Sequence, residues 1–215
     1  MTSLPLFPLH TVLFPGSPLT LHIFEERYRL MMAHCLEQHE PFGVLLIRDG
    51  AEVGDPNPIA YHVGTTAQIN SSVRLDDGRY LVSTVGQQRF RVTHSTQYKP
   101  YMMAHVELLQ DNVQARHMAL IPRLQKVYDT YWQAVAAATG VQQEVEELPL
   151  DGIDLTYHLA HRLHVSNERK QHWLESDTVT RIHEMMILLR AEIALLPQGN
   201  GHYRGDQINW PWSWN

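Results

Sequence analysis

The sequence predicts an α+β fold in which a β-barrel or sandwich is followed by a set of helices. Up to about residue 111, short apolar runs are separated by turn residues roughly every ten positions, which is typical of barrels and sandwiches. Beyond that point apolar residues recur every three to four positions, which indicates helices. One helical pattern, starting at Phe24, interrupts the strand-rich half.

The opening stretch, residues 4–32, holds two apolar runs broken by four prolines: Pro5, Pro8, Pro15 and Pro18. Each proline lacks a backbone N–H donor and fixes φ near about −65°. We therefore expect neither a regular central strand nor an N-terminal helix before residue 24. The inserted helix that follows places its apolar residues on one face: Phe24, Tyr28, Met31, Met32, Cys35 and Leu36. Cys35 on this face predicts a buried, unreactive thiol.

Strand candidates follow at residues 42–48, 60–70 and 101–109. Asp76-Asp77-Gly78 lies between two apolar runs and predicts a hairpin turn. Residues 88–93 alternate, so that Arg89 and Arg91 share the polar face of a strand. That face is either solvated or binds an acidic or phosphate ligand.

The second half predicts four helices. The first ends near Gly140, and Pro122 either opens it or kinks a longer helix. The second covers residues 151–163. Ser166 and Asp177 are the predicted N-caps of the third and fourth.

Composition restricts the function classes. The net charge of −6 argues against non-specific binding to nucleic acid or to anionic membranes. The single cysteine excludes an internal disulfide and fits a reducing compartment. The sequence shows neither an apolar run long enough to span a membrane nor a signal peptide, so we expect a cytoplasmic protein.

A search for catalytic motifs finds none. No lysine follows a glycine, so a P-loop is missing, and neither G-x-G-x-x-G nor G-x-S-x-G occurs. His158, His161 and His164 recur on one predicted helix, either as ordinary helix residues or as metal ligands. Because H-E-x-x-H and a second cysteine are absent, we expect no metal and no cofactor.

Two methionine pairs, Met102-Met103 and Met185-Met186, are candidate promiscuous binding surfaces, although one member of each pair is expected in the core. The tail, residues 198–215, ends in three closely spaced tryptophans that dock either on the same molecule or on a partner: Trp210, Trp212 and Trp214. The candidate partner-binding residues are therefore Met102, Met103, Arg89, Arg91 and the three tryptophans.

Several separated segments resemble one known family. Residues 4–32 read LPLFPLHTVLFPGSPLTLHIFEERYRLMM, residues 42–54 read FGVLLIRDGAEVG and residues 75–92 read LDDGRYLVSTVGQQRFRV. These stretches, with the helical residues 157–193, are similar to the Lon protease N-terminal, substrate-binding domain in its stand-alone bacterial form. The resemblance covers roughly residues 4–196, and its motifs occur in the family's order.

The resemblance implies a PUA-like β-barrel with one inserted helix, followed by a C-terminal four-helix bundle. We expect the barrel at residues 1–111, the bundle at 112–197 and the tryptophan tail at 198–215. The implied function is non-enzymatic binding of unfolded or partner protein segments, in connection with a protease or chaperone system. Two other functions stay open: an RNA-binding PUA-like protein, and a metal-dependent enzyme that uses the histidines.

Overall fold

The computed structural model describes residues 2–97, 100–111, 118–140 and 148–196, which form seven strands and five helices. The predicted order, strands with one inserted helix and then helices, is confirmed. Contacts divide the chain into two compact units. Unit 1 comprises Met1–Gln110 and Tyr157–Glu175, and unit 2 comprises Asp111–Thr156 and Ser176–Asn215. The three-part division at residues 111 and 197 stays a prediction. None of the described helices is long and apolar enough to cross a membrane.

The strands of unit 1 belong to one seven-stranded sheet with the order β1-β7-β6-β5-β3-β4, and β2 pairs with β6. Strand β1 pairs with β7 on one side and with β3 on the other, so the chain of pairings from β1 through β7, β6, β5 and β3 returns to β1. The β1–β3 pair is parallel and the other pairs are antiparallel. The strand bounds are β1 Thr2–Leu9, β2 Pro18–Ile23, β3 Phe42–Asp49, β4 Ile59–Ala60, β5 Val63–Arg74, β6 Tyr80–Gln97 and β7 Met102–Leu108.

Strand β1 corrects the expectation for the opening stretch, because it is a regular strand with partners on both sides. Pro5 lies opposite Met103 and Pro8 lies opposite Leu45 within these pairings. Each proline removes one donor, which costs about 1 kcal/mol of net hydrogen bonding. Burying a large apolar side chain contributes about 1.5–3 kcal/mol. Besides the two prolines, four large apolar side chains of β1 are buried, and their burial outweighs the two missing donors: Leu4, Leu6, Phe7 and Leu9.

The inserted helix, α1 (Glu26–Gln38), has the predicted inward face. Tyr28, Met31, Met32 and Cys35 are buried in a cluster with residues of β1, β2, β3, β5 and β6. Phe24 departs from the prediction, because the helix begins after it and its side chain is 45% exposed.

The β5–β6 hairpin is confirmed at the predicted turn. Leu75 N–H donates to Arg79 O at 2.8 Å and Gly78 N–H donates to Leu75 O at 2.9 Å. Gly78 has φ 82°, a left-handed conformation that glycine adopts without a Cβ penalty. The turn residues therefore set the register in which β5 and β6 pair.

The four later helices are α2 Leu120–Thr139, α3 Gly152–Arg162, α4 Asn167–Glu175 and α5 Thr178–Leu195. Pro122 lies in the first turn of α2, and Gly140 ends that helix with φ 72°. Asp177 caps α5 by accepting the N–H groups of Val179 and Thr180 at 2.9 and 3.0 Å. These local predictions are confirmed.

Helix α4 belongs to unit 1 together with the strands. The Gln171 side chain donates from Nε2 to Val63 O at 3.0 Å, and Trp173 and Leu174 are buried. Unit 2 contains α2, the first residues of α3, and α5. The helices expected to form one bundle are therefore distributed between the two compact units.

Candidate functional site

A cavity of about 250 Å³ opens in unit 1 beside strand β4. Its apolar lining consists of Leu6, Leu45, Pro58, Ile59, Ala60, Val92 and Met102. Its polar lining consists of Asn57, Tyr61, His62 and Ser95. Apolar walls with a few convergent polar groups are typical of ligand sites in proteins. We call this space the β4 cavity.

The pairing of β1 with β7 brings together lining residues that are far apart in the sequence. Leu6 on β1 lies directly opposite Met102 on β7, and the neighbouring strand β3 contributes Leu45. Leu6 and Leu45 are 0% and 2% exposed. The floor of the β4 cavity is therefore part of the packed core of unit 1.

The rim of the β4 cavity is held by backbone hydrogen bonds. Tyr61 N–H donates to Leu46 O at 2.9 Å, and Val92 N–H donates to His62 O at 2.8 Å. The Asp55 carboxylate accepts the Asn57 N–H at 2.9 Å, which fixes the turn before β4. A rim fixed in this way presents its side chains at defined positions.

The rim also carries the adaptable and exposed side chains of the site. Ile59 is 49% exposed, and Met102 is half-buried against the cluster that contains Leu6 and Leu45. Methionine has three rotatable bonds and adapts to irregular apolar partners. Strand β4 pairs only with β3 among the described strands, and both of its residues, Ile59 and Ala60, line the cavity. The site can accept an apolar side chain and offer backbone groups beside it.

Among the described residues, the lining of the β4 cavity contains no cysteine and no carboxylate. The described residues include no group of three or more His, Cys, Asp or Glu side chains arranged to hold a metal ion. The chemistry that the lining itself offers is apolar contact and hydrogen bonding from Asn57, Tyr61, His62 and Ser95.

A second exposed apolar feature lies on the β5–β6 hairpin. Val73 and Leu81 are cross-strand partners that are 59% and 44% exposed, and His22 lies on the other side of Leu81. In the described part of the chain, residues 68–74 of β5 pair with β6 alone. We call residues 68–74 the hairpin edge; it could accept an added strand.

The sequence-predicted site residues fall in different places. Met102 lines the β4 cavity, whereas Met103 is half-buried opposite Pro5. Arg91 is exposed and lies opposite Glu107. Trp210, Trp212 and Trp214 lie outside the described residues. The structure thus brings Met102, but neither Met103 nor Arg91, to the lining of the cavity.

The burial of Arg89 corrects the interpretation that Arg89 and Arg91 lie together on a solvated strand face. Its side chain is 6% exposed, and Nη1 donates to Leu174 O of α4 at 2.6 Å. The alternating pattern of residues 88–93 could not show this, because the partner is a backbone carbonyl 85 positions away.

Two further predictions have clear outcomes. Cys35 is 1% exposed and burial raises its pKa to about 12, so the predicted buried thiol is confirmed. Met185 and Met186 are both buried, at 0% and 6% exposure, so this pair is core rather than a binding surface.

Apart from Met102, the residues that line the cavity were not predicted from the sequence. Residues 55–58, Asp-Pro-Asn-Pro, mark a loop before β4 but do not indicate a binding site. Leu6 and Leu45 read only as strand residues, because their role depends on pairings between distant parts of the chain.

Comparison with known proteins identifies similar chains. A sequence model described as the ATP-dependent protease La (LON) substrate-binding domain matches residues 3–191. The chain is 27% identical over 213 residues to Lon protease 2 of Myxococcus xanthus, and 27% identical over 207 residues to Lon protease of Anaeromyxobacter dehalogenans. Each match covers 92% of this chain and 24% of the relative. The chain therefore spans about a quarter of the length of these relatives.

Solved structures are similar over the same region. A Lon N-terminal domain protein from Xanthomonas campestris has a TM-score of 0.61 and 25% identity, over 92% of this chain and 100% of that one. The N-terminal domain of Mycobacterium avium complex Lon protease has a TM-score of 0.61 and 14% identity, over 90% and 98% of the two chains. The second likeness is one of fold alone.

Proposed function

The chain belongs to the ATP-dependent protease La (LON) substrate-binding domain family, and on that premise we propose that it binds apolar segments of unfolded protein chains without catalysing a reaction. The family match extends over residues 3–191, and its description names substrate binding. The sequence contains no Gly-Lys-Ser/Thr motif for nucleotide phosphates. The module would act in the cytoplasm and deliver protein segments to a protease or chaperone system.

The β4 cavity is the observation that carries this proposal. Pockets for drug-sized ligands occupy about 300–1,000 Å³, so a cavity of about 250 Å³ suits one or two side chains of a peptide. Its floor is buried and apolar, which favours Leu, Ile, Met or Phe side chains. These side chains are normally inside a folded protein and become accessible on unfolding. A cavity of this kind distinguishes unfolded from folded segments.

We assign Met102 and Ile59 as the two contacts at the opening. Both lie at the lining, and both keep enough exposure to meet a ligand. Met103, Arg91, Trp210, Trp212 and Trp214 stay predicted contacts.

We also propose that the strands form a PUA-like barrel, because the pairings from β1 through β7, β6, β5 and β3 return to β1. The C-terminal four-helix bundle stays a prediction. In this arrangement the β4 cavity opens where the short strand β4 extends the sheet beyond β3.

The test is binding of a fluorescent apolar peptide, followed by anisotropy. Ile59→Glu places a negative charge in the lining of the β4 cavity. Binding of an apolar side chain there would take this charge out of water, which is unfavourable. We expect at least about tenfold weaker binding, or about 1.4 kcal/mol. The matched control is Ile187→Glu on α5, because Ile187 is also exposed, at 67%. Equal affinity of both variants and the native chain would rule out the β4 cavity, and thermal unfolding of each variant checks that it is folded.

A further inference from the structure

Unit 2 contains a groove of about 390 Å³ between α2 and α5. Four of its residues come from α2 and two from α5: Arg123, Lys126, Val127, Thr130, Arg190 and Ile193. We call it the basic groove. Its lining belongs to unit 2, whereas the lining of the β4 cavity belongs to unit 1.

Helical spacing explains why these side chains converge. Arg123, Lys126 and Thr130 lie at positions i, i+3 and i+7 of α2, which share one helix face. Arg190 and Ile193 are three residues apart on α5 and also share a face. The Thr130 hydroxyl donates to Lys126 O at 2.8 Å and is occupied within the helix. Among the described lining residues, the groups that remain available to a ligand are three cations and two apolar side chains.

The described lining of the basic groove does not compensate its positive charge. Among the residues that the structure describes, this lining holds three cationic side chains and no carboxylate, although the chain as a whole has net charge −6. Within residues 118–140 and 148–196, the side chains of Arg123, Lys126 and Arg190 form no ion pair or hydrogen bond with a described residue. Like charges held together repel one another, so an anionic partner would relieve the repulsion and gain attraction.

The apolar residues of the basic groove restrict the class of anionic ligand that it can bind. Val127 and Ile193 line the same groove as the cationic side chains and are half-buried, so the groove combines positive charge with an apolar surface. A free phosphate would leave this apolar surface unused, and a nucleic acid is disfavoured by the net charge of the chain. A peptide that flanks one apolar side chain with carboxylates matches both features. A volume of about 390 Å³ lies within the about 300–1,000 Å³ of known ligand pockets.

We propose that the basic groove binds an acidic segment of a partner protein. The partner's carboxylates pair with Arg123, Lys126 and Arg190, while one apolar side chain packs on Val127 and Ile193. This inference is independent of the function proposed for the β4 cavity, because it rests on a different unit and a different ligand chemistry.

The test uses the full chain and a fluorescein-labelled, glutamate-rich peptide with one central leucine. We expect saturable binding that weakens as salt screens the charges. The triple variant Arg123→Gln, Lys126→Gln and Arg190→Gln should bind at least about tenfold more weakly, or about 1.4 kcal/mol. The control removes the same charge from exposed residues of unit 1, as Arg48→Gln, Arg74→Gln and Arg169→Gln, and should keep the native affinity.

Two further peptides separate charge from apolar contact. Replacing the glutamates by glutamine should abolish binding, and replacing the leucine by alanine should weaken it. Unchanged binding of either peptide, or an equal loss in the control variant, would overturn the proposal. Tighter binding of a single-stranded oligonucleotide through the same three residues would overturn it in favour of nucleic acid.

The chain's own Glu144, Val145, Glu146 and Glu147 have the composition that the groove would recognise. If this segment occupied the groove in the same molecule, replacing its glutamates by glutamine would strengthen binding of the added peptide. That result would overturn a partner protein as the occupant. Unchanged affinity in this variant supports the partner.

Discussion

The guanidinium of Arg181, which is 0% exposed, donates from Nη2 to the Asp111 carboxylate at 3.1 Å within unit 2. The same guanidinium donates from Nε to Thr156 Oγ1 at 3.1 Å, from Nη1 to Ser176 O at 2.6 Å and from Nη2 to Thr178 Oγ1 at 2.9 Å. This fully buried cation joins the first turn of α5 to the segment before α2 and to α3. This buried charge is tolerated because each of the three guanidinium nitrogens has a hydrogen-bond partner and the Asp111 carboxylate supplies the opposite charge.

Removing the carboxylate should destabilise the protein strongly. Asp111→Ala leaves the Arg181 charge buried without its counter-charge, and we expect the free energy of unfolding to fall by about 3 kcal/mol. Urea unfolding measures the change. Asp77→Asn, which neutralises the exposed partner of Arg79, should leave the stability unchanged. An Asp111→Ala variant as stable as the native chain would show that the buried pair contributes nothing.

Substitution of Arg89 and of Arg91 should change the stability by different amounts, although the two residues lie two positions apart on strand β6. Arg89→Met removes the donor to Leu174 O and should lower the free energy of unfolding by about 2 kcal/mol, the range for hydrogen bonds from charged groups. Arg91→Met alters an exposed side chain and should change stability by less than about 0.5 kcal/mol. Thermal or urea unfolding of both variants checks the difference. Equal losses would contradict a structural role confined to Arg89.

Stability should fall at alkaline pH because of two buried groups on α1. Burial raises the pKa of Cys35 from 9.0, and that of Tyr28 from 10.0, to about 12 in each case. Well below pH 9 both groups are protonated in the folded and unfolded chains, so they give no pH dependence there. Above pH 9 the unfolded thiol ionises while the folded thiol does not. This ionisation lowers the free energy of the unfolded state, so the free energy of unfolding falls until about pH 12.

The expected slope is about 1.4 kcal/mol per pH unit for each group that is ionised only in the unfolded chain. Urea unfolding as a function of pH measures it. Tyr28→Phe should remove the tyrosine contribution, which begins near pH 10, and leave the thiol contribution intact. A stability that stays constant as the pH rises through 10 would contradict the buried environments of both groups.

Local patterns in the sequence predicted the elements whose determinants are local. The face of α1 followed from apolar spacing, the hairpin from Asp76-Asp77-Gly78, and the cap of α5 from Asp177. In each case the deciding contacts lie within a few residues, so propensity and turn geometry suffice. These elements make up much of the secondary structure of the described chain.

Features that depend on distant partners could not be predicted in this way. Strand β1 forms despite Pro5 and Pro8 because β3 and β7 bury its apolar side chains. The β4 cavity requires Leu6, Leu45 and Met102 to meet through pairing of three strands. Periodicity gives the face of a strand but not its partner, and for that reason only Met102 of the lining was identified from the sequence.

The central claim is that the β4 cavity receives apolar side chains of unfolded proteins, and site-specific photo-crosslinking tests it most directly. A photoreactive phenylalanine analogue is placed at Ile59 or, as the control, at Ile187, since both side chains are exposed. The chain is then mixed with a reduced, carboxymethylated protein that cannot refold. We predict cross-links from position 59 that an apolar peptide suppresses, and none above background from position 187. Cross-links absent at position 59, or formed instead from a probe at Val73 on the hairpin edge, would contradict the β4 cavity as the binding site.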